Sequence, residues 1–110
     1  MKVFAINDLF AARSKSSKPY FEFLRVPALS AGVYVLSAGA EDKQQPHSED
    51  EMYYVVRGSG RFRTEEDGVS QDVPVSPGSV IFVEAGAKHR FHSINEELTV
   101  LVFFAPAERT

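Results

Sequence analysis

Most apolar residues of the chain occur in short runs separated by turn-forming residues, a pattern typical of β-strands. From residue 20 onward we predict about eight strands, at 20–26, 32–38, 51–57, 61–65, 69–75, 79–83, 88–94 and 98–105. Glycine, proline or acidic residues interrupt these runs, as in GSG at 58–60, EDG at 66–68 and SPG at 76–78. Closely spaced strands with almost no helix predict an all-β sandwich or closed barrel.

Three local patterns add detail to this prediction. The strand LTVLVFF at 98–104 is apolar on both faces, so we expect it at the centre of a sheet or beneath a partner subunit. Pro74 cannot donate a hydrogen bond to a neighbouring strand, which predicts that its own strand lies at an edge or is interrupted. Residues 6–12 are predicted to form a helical turn with Asn7 or Asp8 as the N-cap.

The composition predicts a single soluble domain that covers residues 1–110. With 44% hydrophobic and 25% charged residues, the chain can build one core without disulfides. Its net charge is −3 and no large basic patch is evident, which argues against a nucleic-acid partner. The absence of cysteine excludes thiolate ligands and cysteine nucleophiles. Since no apolar run is long enough for a membrane span or a signal peptide, we expect a cytoplasmic protein.

One of the three histidines lies in the polar stretch QPHSED, just before a predicted strand. His47 precedes Glu51 by four positions, and an extended backbone would place both side chains on one face. His89 opens a later strand and shares its face with Phe91, whereas His92 faces the opposite way. Histidine and carboxylate side chains ligate divalent metals, although a solvated acidic loop would also explain the first stretch.

The spacing of these residues resembles the two short motifs of the cupin family. The first motif is glycine, five residues, His-x-His, three or four residues, glutamate, six residues, glycine; its positions here are Gly39, Gln45, His47, Glu51 and Gly58. The second is glycine, five residues, Pro-x-Gly, two residues, histidine, three residues, asparagine; its positions here are Gly78, Glu84, Gly86, His89 and Ser93. The resemblance implies a cupin fold, a double-stranded β-helix or jelly-roll-like barrel, with its core at about residues 30–105 and an N-terminal extension at 1–19.

The resemblance also implies a set of metal ligands. In metal-binding cupins, the histidines and the glutamate of the first motif and the histidine of the second bind a divalent ion. Transferred by position, this assigns His47, Glu51 and His89, with Gln45 as a weak fourth ligand and Glu49 as its alternative. The ion implied is iron, manganese, nickel, zinc or copper. Two histidines and one carboxylate leave coordination positions open for a substrate.

The function implied by the resemblance is that of a homodimer acting on a small organic molecule as an oxygenase or isomerase. Tyr53 and Phe91 follow Glu51 and His89 on the same strand faces, so they are candidates to line the substrate pocket, or else plain core. Because Gln45 replaces an imidazole, the alternative is a metal-free cupin that binds or senses a small ligand without catalysis. A purely structural dimer is a third hypothesis.

Overall fold

The computed structural model describes residues 1–109, which form one helix and six strands. The elements are α1 (Ile6–Ser14), β1 (Tyr20–Val26), β2 (Leu29–Leu36), β3 (Asp50–Glu66), β4 (Val69–Val75), β5 (Val80–Val83) and β6 (Lys88–Ala105). The strands follow the order β1-β2-β6-β3-β4, with β5 paired to β3, and all neighbours are antiparallel. The predicted all-β architecture is confirmed.

Strands β3 and β6 are longer than predicted. Each replaces two predicted strands, so that six strands form in residues 1–109 instead of about eight. The ladder between them is irregular from Val55 to Arg61, where the GSG segment forms a bulge and does not reverse the chain. Both halves of β3 pair with β6, and on its other side the first half pairs with β5 and the second half with β4.

Gly58 explains why this segment bulges. Its φ of +94° lies in the left-handed region that favours glycine. A Cβ atom placed on it would lie only 2.1 Å from the backbone carbonyl oxygen of Glu97 in β6. The prediction of a turn at GSG was therefore wrong, because this glycine serves the close approach of two long strands.

The prediction that residues 98–104 lie at the centre of a sheet is confirmed, since β6 lies between β2 and β3. Inward-facing side chains of all strands except β1 form the main part of the core. Its buried members are Leu36, Tyr53, Val55, Phe62, Val75, Val83, Ala87, Phe91, Ile94, Leu98, Val100, Val102 and Phe104. Strand β4 ends the strand order, which confirms the edge position predicted from Pro74.

Helix α1 packs against β1 and β2. Just before it, Phe4 meets Phe23 of β1 edge to face, with ring centroids 4.9 Å apart. The predicted N-cap was wrong, because the helix begins after Ala5 and has no side-chain cap. Asn7 instead accepts a hydrogen bond from Arg57 in β3. Within residues 1–109, no helix has the length and apolar character needed to cross a membrane.

Candidate metal centre

Glu51 is a buried carboxylate without hydrogen-bond partners. It is the second residue of β3, opposite Val83 on one side and Phe104 on the other, which directs its side chain into the core. The side chain is 1% exposed, and neither carboxylate oxygen has a hydrogen-bond partner within the described residues 1–109. Burying a carboxylate whose oxygens accept no hydrogen bond costs several kcal/mol on the order-of-magnitude scale for such groups. A cation bound beside Glu51 would therefore stabilise the site.

His89 lies beside this carboxylate, also 1% exposed. Its Nδ1 is 2.9 Å from the Ala87 carbonyl oxygen, so that Nδ1 carries a proton and donates it. Its Nε2 is 3.0 Å from Glu51 Oε1, but the two atoms lack the geometry of a hydrogen bond. Burial lowers the pKa of His89, but the Glu51 carboxylate and the Ala87 carbonyl outweigh that effect and raise the pKa above its usual value.

His47 approaches the same carboxylate from the loop before β3. Its Nε2 is 3.9 Å from Glu51 Oε1, and its Nδ1 is 3.2 Å from Glu108 Oε2. The imidazole packs edge to face on Phe104, with ring centroids 4.9 Å apart. The backbone carbonyl of His47 accepts a 2.7 Å hydrogen bond from the amide of Gly86, which ties this loop to the turn before His89.

The structure thus brings His47, Glu51 and His89 together, with one donor atom of each within 4.8 Å of the others. Two donors on one metal ion lie roughly 3 to 3.6 Å apart, given metal–ligand distances of about 2.0–2.2 Å. The pair of His89 and Glu51 already has this spacing, and His47 Nε2 lies 3.9 Å from Glu51 Oε1, a few tenths of an ångström beyond it. Glu49 is buried, accepts a hydrogen bond from Ser48, and is not part of this group. The three residues fit a divalent ion.

The glutamine nearest to the site is Gln44. Its Oε1 is 3.3 Å from His47 Nε2 and accepts a 3.0 Å hydrogen bond from the Tyr53 hydroxyl. Gln45, expected as a weak ligand, is exposed and lines a neighbouring cavity of about 410 Å³. Gln45 was assigned by its motif position, and an extended backbone was assumed only for His47 and Glu51, whereas residues 37–49 form an irregular loop. The alternation of side chains between two faces, which holds along a strand, therefore does not apply to this loop.

The two predicted pocket residues, Tyr53 and Phe91, are both fully buried. Their rings pack edge to face 5.1 Å apart, and Phe62 completes the cluster at 4.7 Å from Phe91. Tyr53 lines the cavity beside the metal group, whereas Phe91 is not among the described residues that line it. Burial and the nearby Glu51 carboxylate raise the pKa of Tyr53 well above its ordinary value, so its hydroxyl remains a donor.

Asp42, which no sequence pattern singled out, organises the polar network around the metal group. This buried carboxylate accepts hydrogen bonds from the Tyr34 hydroxyl at 2.7 Å, the Gln44 side-chain amide at 2.8 Å and the Phe91 backbone amide at 2.9 Å. It holds Gln44 in place and joins the irregular loop to β6. Its position in GAED, beside a glycine and another acid, is that of a solvated turn, so no sequence signal distinguished it.

A cavity of about 150 Å³ adjoins the metal group. Its lining residues are Tyr20, Tyr34, Gln44, His47, Glu51, Tyr53, Val102, Phe104 and Glu108. The Tyr20 hydroxyl is buried, and none of the described residues is its hydrogen-bond partner. Burial, followed by the charge of Glu108, raises the pKa of Tyr20, which keeps this hydroxyl protonated. A larger depression of about 590 Å³, between residues 65–70 and 84–88, contains no histidine.

Comparison with known proteins gives a family match and several relatives. A family model described as a cupin domain matches residues 32–105. An uncharacterised protein of Streptomyces coelicolor is 43% identical over 108 residues, which cover 98% of this chain and 99% of that protein. Acireductone dioxygenase of Bacillus anthracis is 40% identical over 50 residues, which cover 44% of this chain and only 29% of that enzyme. A solved structure of a Bacillus halodurans protein has a TM-score of 0.77 at 18% identity, covering 99% of this chain and 83% of that one.

Proposed function

We propose that this chain, which belongs to the cupin family, binds a divalent metal ion through His47, Glu51 and His89 and acts on a small organic molecule. The observation that carries the proposal is that both Glu51 oxygens and His89 Nε2 are buried without hydrogen-bond partners in the part of the chain that the structure describes. A bound cation would recover the free energy that their burial costs. Two imidazoles and one carboxylate suit iron, and also manganese, nickel, zinc or copper.

The reaction class rests on the donor set and on one relative. A divalent ion with open coordination positions would act as a Lewis acid toward the substrate. The match to acireductone dioxygenase supports an oxygenase-type reaction, although it extends over only 44% of this chain. We assign no general acid or base, because Gln44 beside the donor group is a neutral amide and the raised pKa of Tyr53 makes its hydroxyl a poor acid.

The cavity beside the metal group limits the substrate. Its volume of about 150 Å³ is that of a site that holds a molecule the size of benzene. The Tyr20 hydroxyl has no hydrogen-bond partner among residues 1–109, so it is free to donate a hydrogen bond to a substrate oxygen. Val102 and Phe104 supply an apolar wall. We therefore expect a compact substrate with at least one oxygen acceptor.

Metal analysis of protein purified without chelator tests the proposal. We expect about one metal ion per chain in the wild type and its loss in His47→Ala and in His89→Ala. His92→Ala is the matched control, since this imidazole lies 2.9 Å from Asp72 at the surface and is not part of the donor group. Substoichiometric metal in the wild type, unaffected by either substitution, would refute metal binding.

The second candidate is a metal-free cupin that binds or senses a small ligand. The observation that favours it is Gln44, whose amide is already bonded to Tyr53 and Asp42, so that it supplies no fourth strong ligand. A thermal-shift screen of small carboxylic acids and phenols, with and without EDTA, distinguishes the two candidates. Stabilisation that persists in EDTA and disappears in Tyr20→Phe supports the metal-free candidate.

We also infer that the chain forms a homodimer. On the outer face, Met52 pairs with Phe82 and Tyr54 with Val80, and all four side chains are between 42% and 62% exposed. A contiguous apolar patch of this kind marks interaction sites. Light scattering during size-exclusion chromatography should give a dimer for the wild type and for Val69→Glu on β4, and a monomer for Phe82→Glu. A monomeric wild type would refute the inference.

A further inference from the structure

The segment that follows β6, residues 106–109, is anchored at the entrance of the cavity. The amide of Glu108 donates a 2.8 Å hydrogen bond to the Ser30 hydroxyl oxygen at the start of β2. The Arg25 guanidinium donates a 2.6 Å hydrogen bond to the Glu108 carbonyl. These two contacts fix the backbone on both sides of the Glu108 side chain. The segment is therefore held against the β1–β2 hairpin by specific bonds.

The Glu108 side chain projects from this anchored backbone into the cavity. Its Oε2 is 3.2 Å from His47 Nδ1, and both side chains are about one fifth exposed. The opposite ring nitrogen, Nε2, faces Glu51 Oε1. The carboxylate therefore contacts the ring on the side away from the metal group. This arrangement parallels that of His89, where the Ala87 carbonyl contacts Nδ1 and Nε2 faces Glu51.

His47 has a competing acceptor on its other side, because Gln44 Oε1 is 3.3 Å from Nε2. A neutral imidazole carries one N–H, so it can donate either to Glu108 from Nδ1 or to Gln44 from Nε2. Only the first tautomer leaves Nε2 free to bind a metal ion. The Gln44 contact has the geometry of a hydrogen bond, whereas the Glu108 contact is an ion-pair distance of 3.2 Å. Because a carboxylate carries a full negative charge, it attracts the ring hydrogen more strongly than a neutral amide does, so Glu108 favours the metal-binding tautomer.

We propose that Glu108 is a positioning residue of the metal centre, which accepts the Nδ1 hydrogen of His47 and keeps Nε2 directed at Glu51. The proposal rests on the proposed metal-binding function and deepens it. A carboxylate behind a ligating imidazole fixes the tautomer and increases the basicity of the ligand, and the loss of such a partner typically weakens metal binding by about 10–100-fold.

Calorimetric titration of the metal-free protein with Co²⁺ measures the effect. We expect Glu108→Ala to weaken Co²⁺ binding by about 10–100-fold. Glu108→Gln keeps an acceptor oxygen and should recover part of that loss. Arg109→Gln, the matched control on the same segment, changes an exposed side chain and should bind Co²⁺ like the wild type. Unchanged binding by Glu108→Ala would overturn the role of Glu108.

A second measurement does not depend on metal. In metal-free wild-type protein, ¹⁵N chemical shifts of the His47 ring should show the proton on Nδ1, and in Glu108→Ala they should show it on Nε2. The same tautomer in both proteins would overturn the proposal. Failure of every protein to bind Co²⁺, combined with the expected tautomer shift, would instead refute the metal-binding function and leave the contact between Glu108 and His47 established.

Discussion

The two histidines of the metal group are held in different ways. His89 lies on β6, is fully buried, and donates to a carbonyl only two residues away. His47 lies on an irregular loop, is 20% exposed, and meets Glu108 from the segment beyond β6. The His89 imidazole is thus oriented by its own stretch of backbone. The His47 imidazole is oriented by Glu108, which is distant along the chain but adjacent in the folded structure.

This difference separates a ligand that affects the stability of the fold from a ligand that affects mainly the affinity for metal. A ligand embedded in the core is expected to matter for folding as well as for metal binding, because its removal leaves a void and an uncompensated charge. A ligand on a loop is expected to matter mainly for metal binding, and its orientation can be adjusted by residues elsewhere. The four predictions below test this division.

The largest effect is expected for the free energy of unfolding of metal-free protein. His89→Ala should lower it by about 3 kcal/mol, because it empties a space beside Tyr53 and removes the imidazole that lies 3.0 Å from the buried Glu51 carboxylate. His47→Ala should lower it by only about 1 kcal/mol, since this ring is partly exposed. Urea unfolding in EDTA measures both changes. Equal destabilisation by the two substitutions would contradict the division.

A smaller effect is expected at the turn that joins the two histidine segments. Gly86 has a φ of +82° and open space around it, so Gly86→Ala should cost about 1 kcal/mol through backbone strain alone. Because its amide bonds to the His47 carbonyl, Co²⁺ affinity should also fall several-fold. Gly68→Ala, at φ +77° in the β3–β4 turn and also in open space, is the control. It should lose similar stability and keep its Co²⁺ affinity; a loss of affinity in both variants would contradict the prediction.

The free energy of unfolding of the metal-free protein should depend on pH through the protonation of His89. Its pKa is raised in the folded state, so the protonated form stabilises the fold. This contribution is fully present below the unfolded value of about 6.5 and is lost as the pH rises through the folded pKa. The stability of the wild type relative to His89→Gln should therefore decline from mildly acidic to alkaline pH. Urea unfolding between about pH 5.5 and 9 measures it, and a flat or rising difference would refute the assignment.

The smallest effect is expected for the third histidine. His92 pairs with Asp72 on the surface, 2.9 Å away, and Asp72 is also bonded to Arg61. Surface ion pairs contribute little, so His92→Ala should change the free energy of unfolding by less than about 0.5 kcal/mol. Co²⁺ affinity should be unchanged. Weaker Co²⁺ binding in this variant would contradict the conclusion that His92 does not take part in metal binding.

Much of the fold could be predicted from local patterns. Alternation of apolar residues located the strands, and the doubly apolar run at 98–104 was correctly placed at the sheet centre. The edge position of Pro74 followed from its missing N–H group. These predictions succeed because strand periodicity and backbone donors are properties of neighbouring residues. The bulge at Gly58 could not be predicted in this way, since it depends on Glu97 in another strand.

The residues of the candidate site also fall into those that the sequence predicted and those that it did not. The motif spacing selected His47, Glu51 and His89, which the structure brings within reach of one another. It also selected Gln45, which is exposed, while the adjacent Gln44 contacts His47. An irregular loop has no fixed side-chain period, so its inward-facing residues are set by the partners that the loop meets.

The amino-acid sequence by itself determined the all-β class, the central and edge strands, and the chemistry of the donor side chains. These properties follow from residue types and from spacings along a regular backbone. Only the tertiary structure decided that Asp42 anchors the loop, that Gln44 faces His47, and that Glu108 stands behind that imidazole. Such contacts join segments that are remote in the chain, and their geometry exists only after the strands have packed.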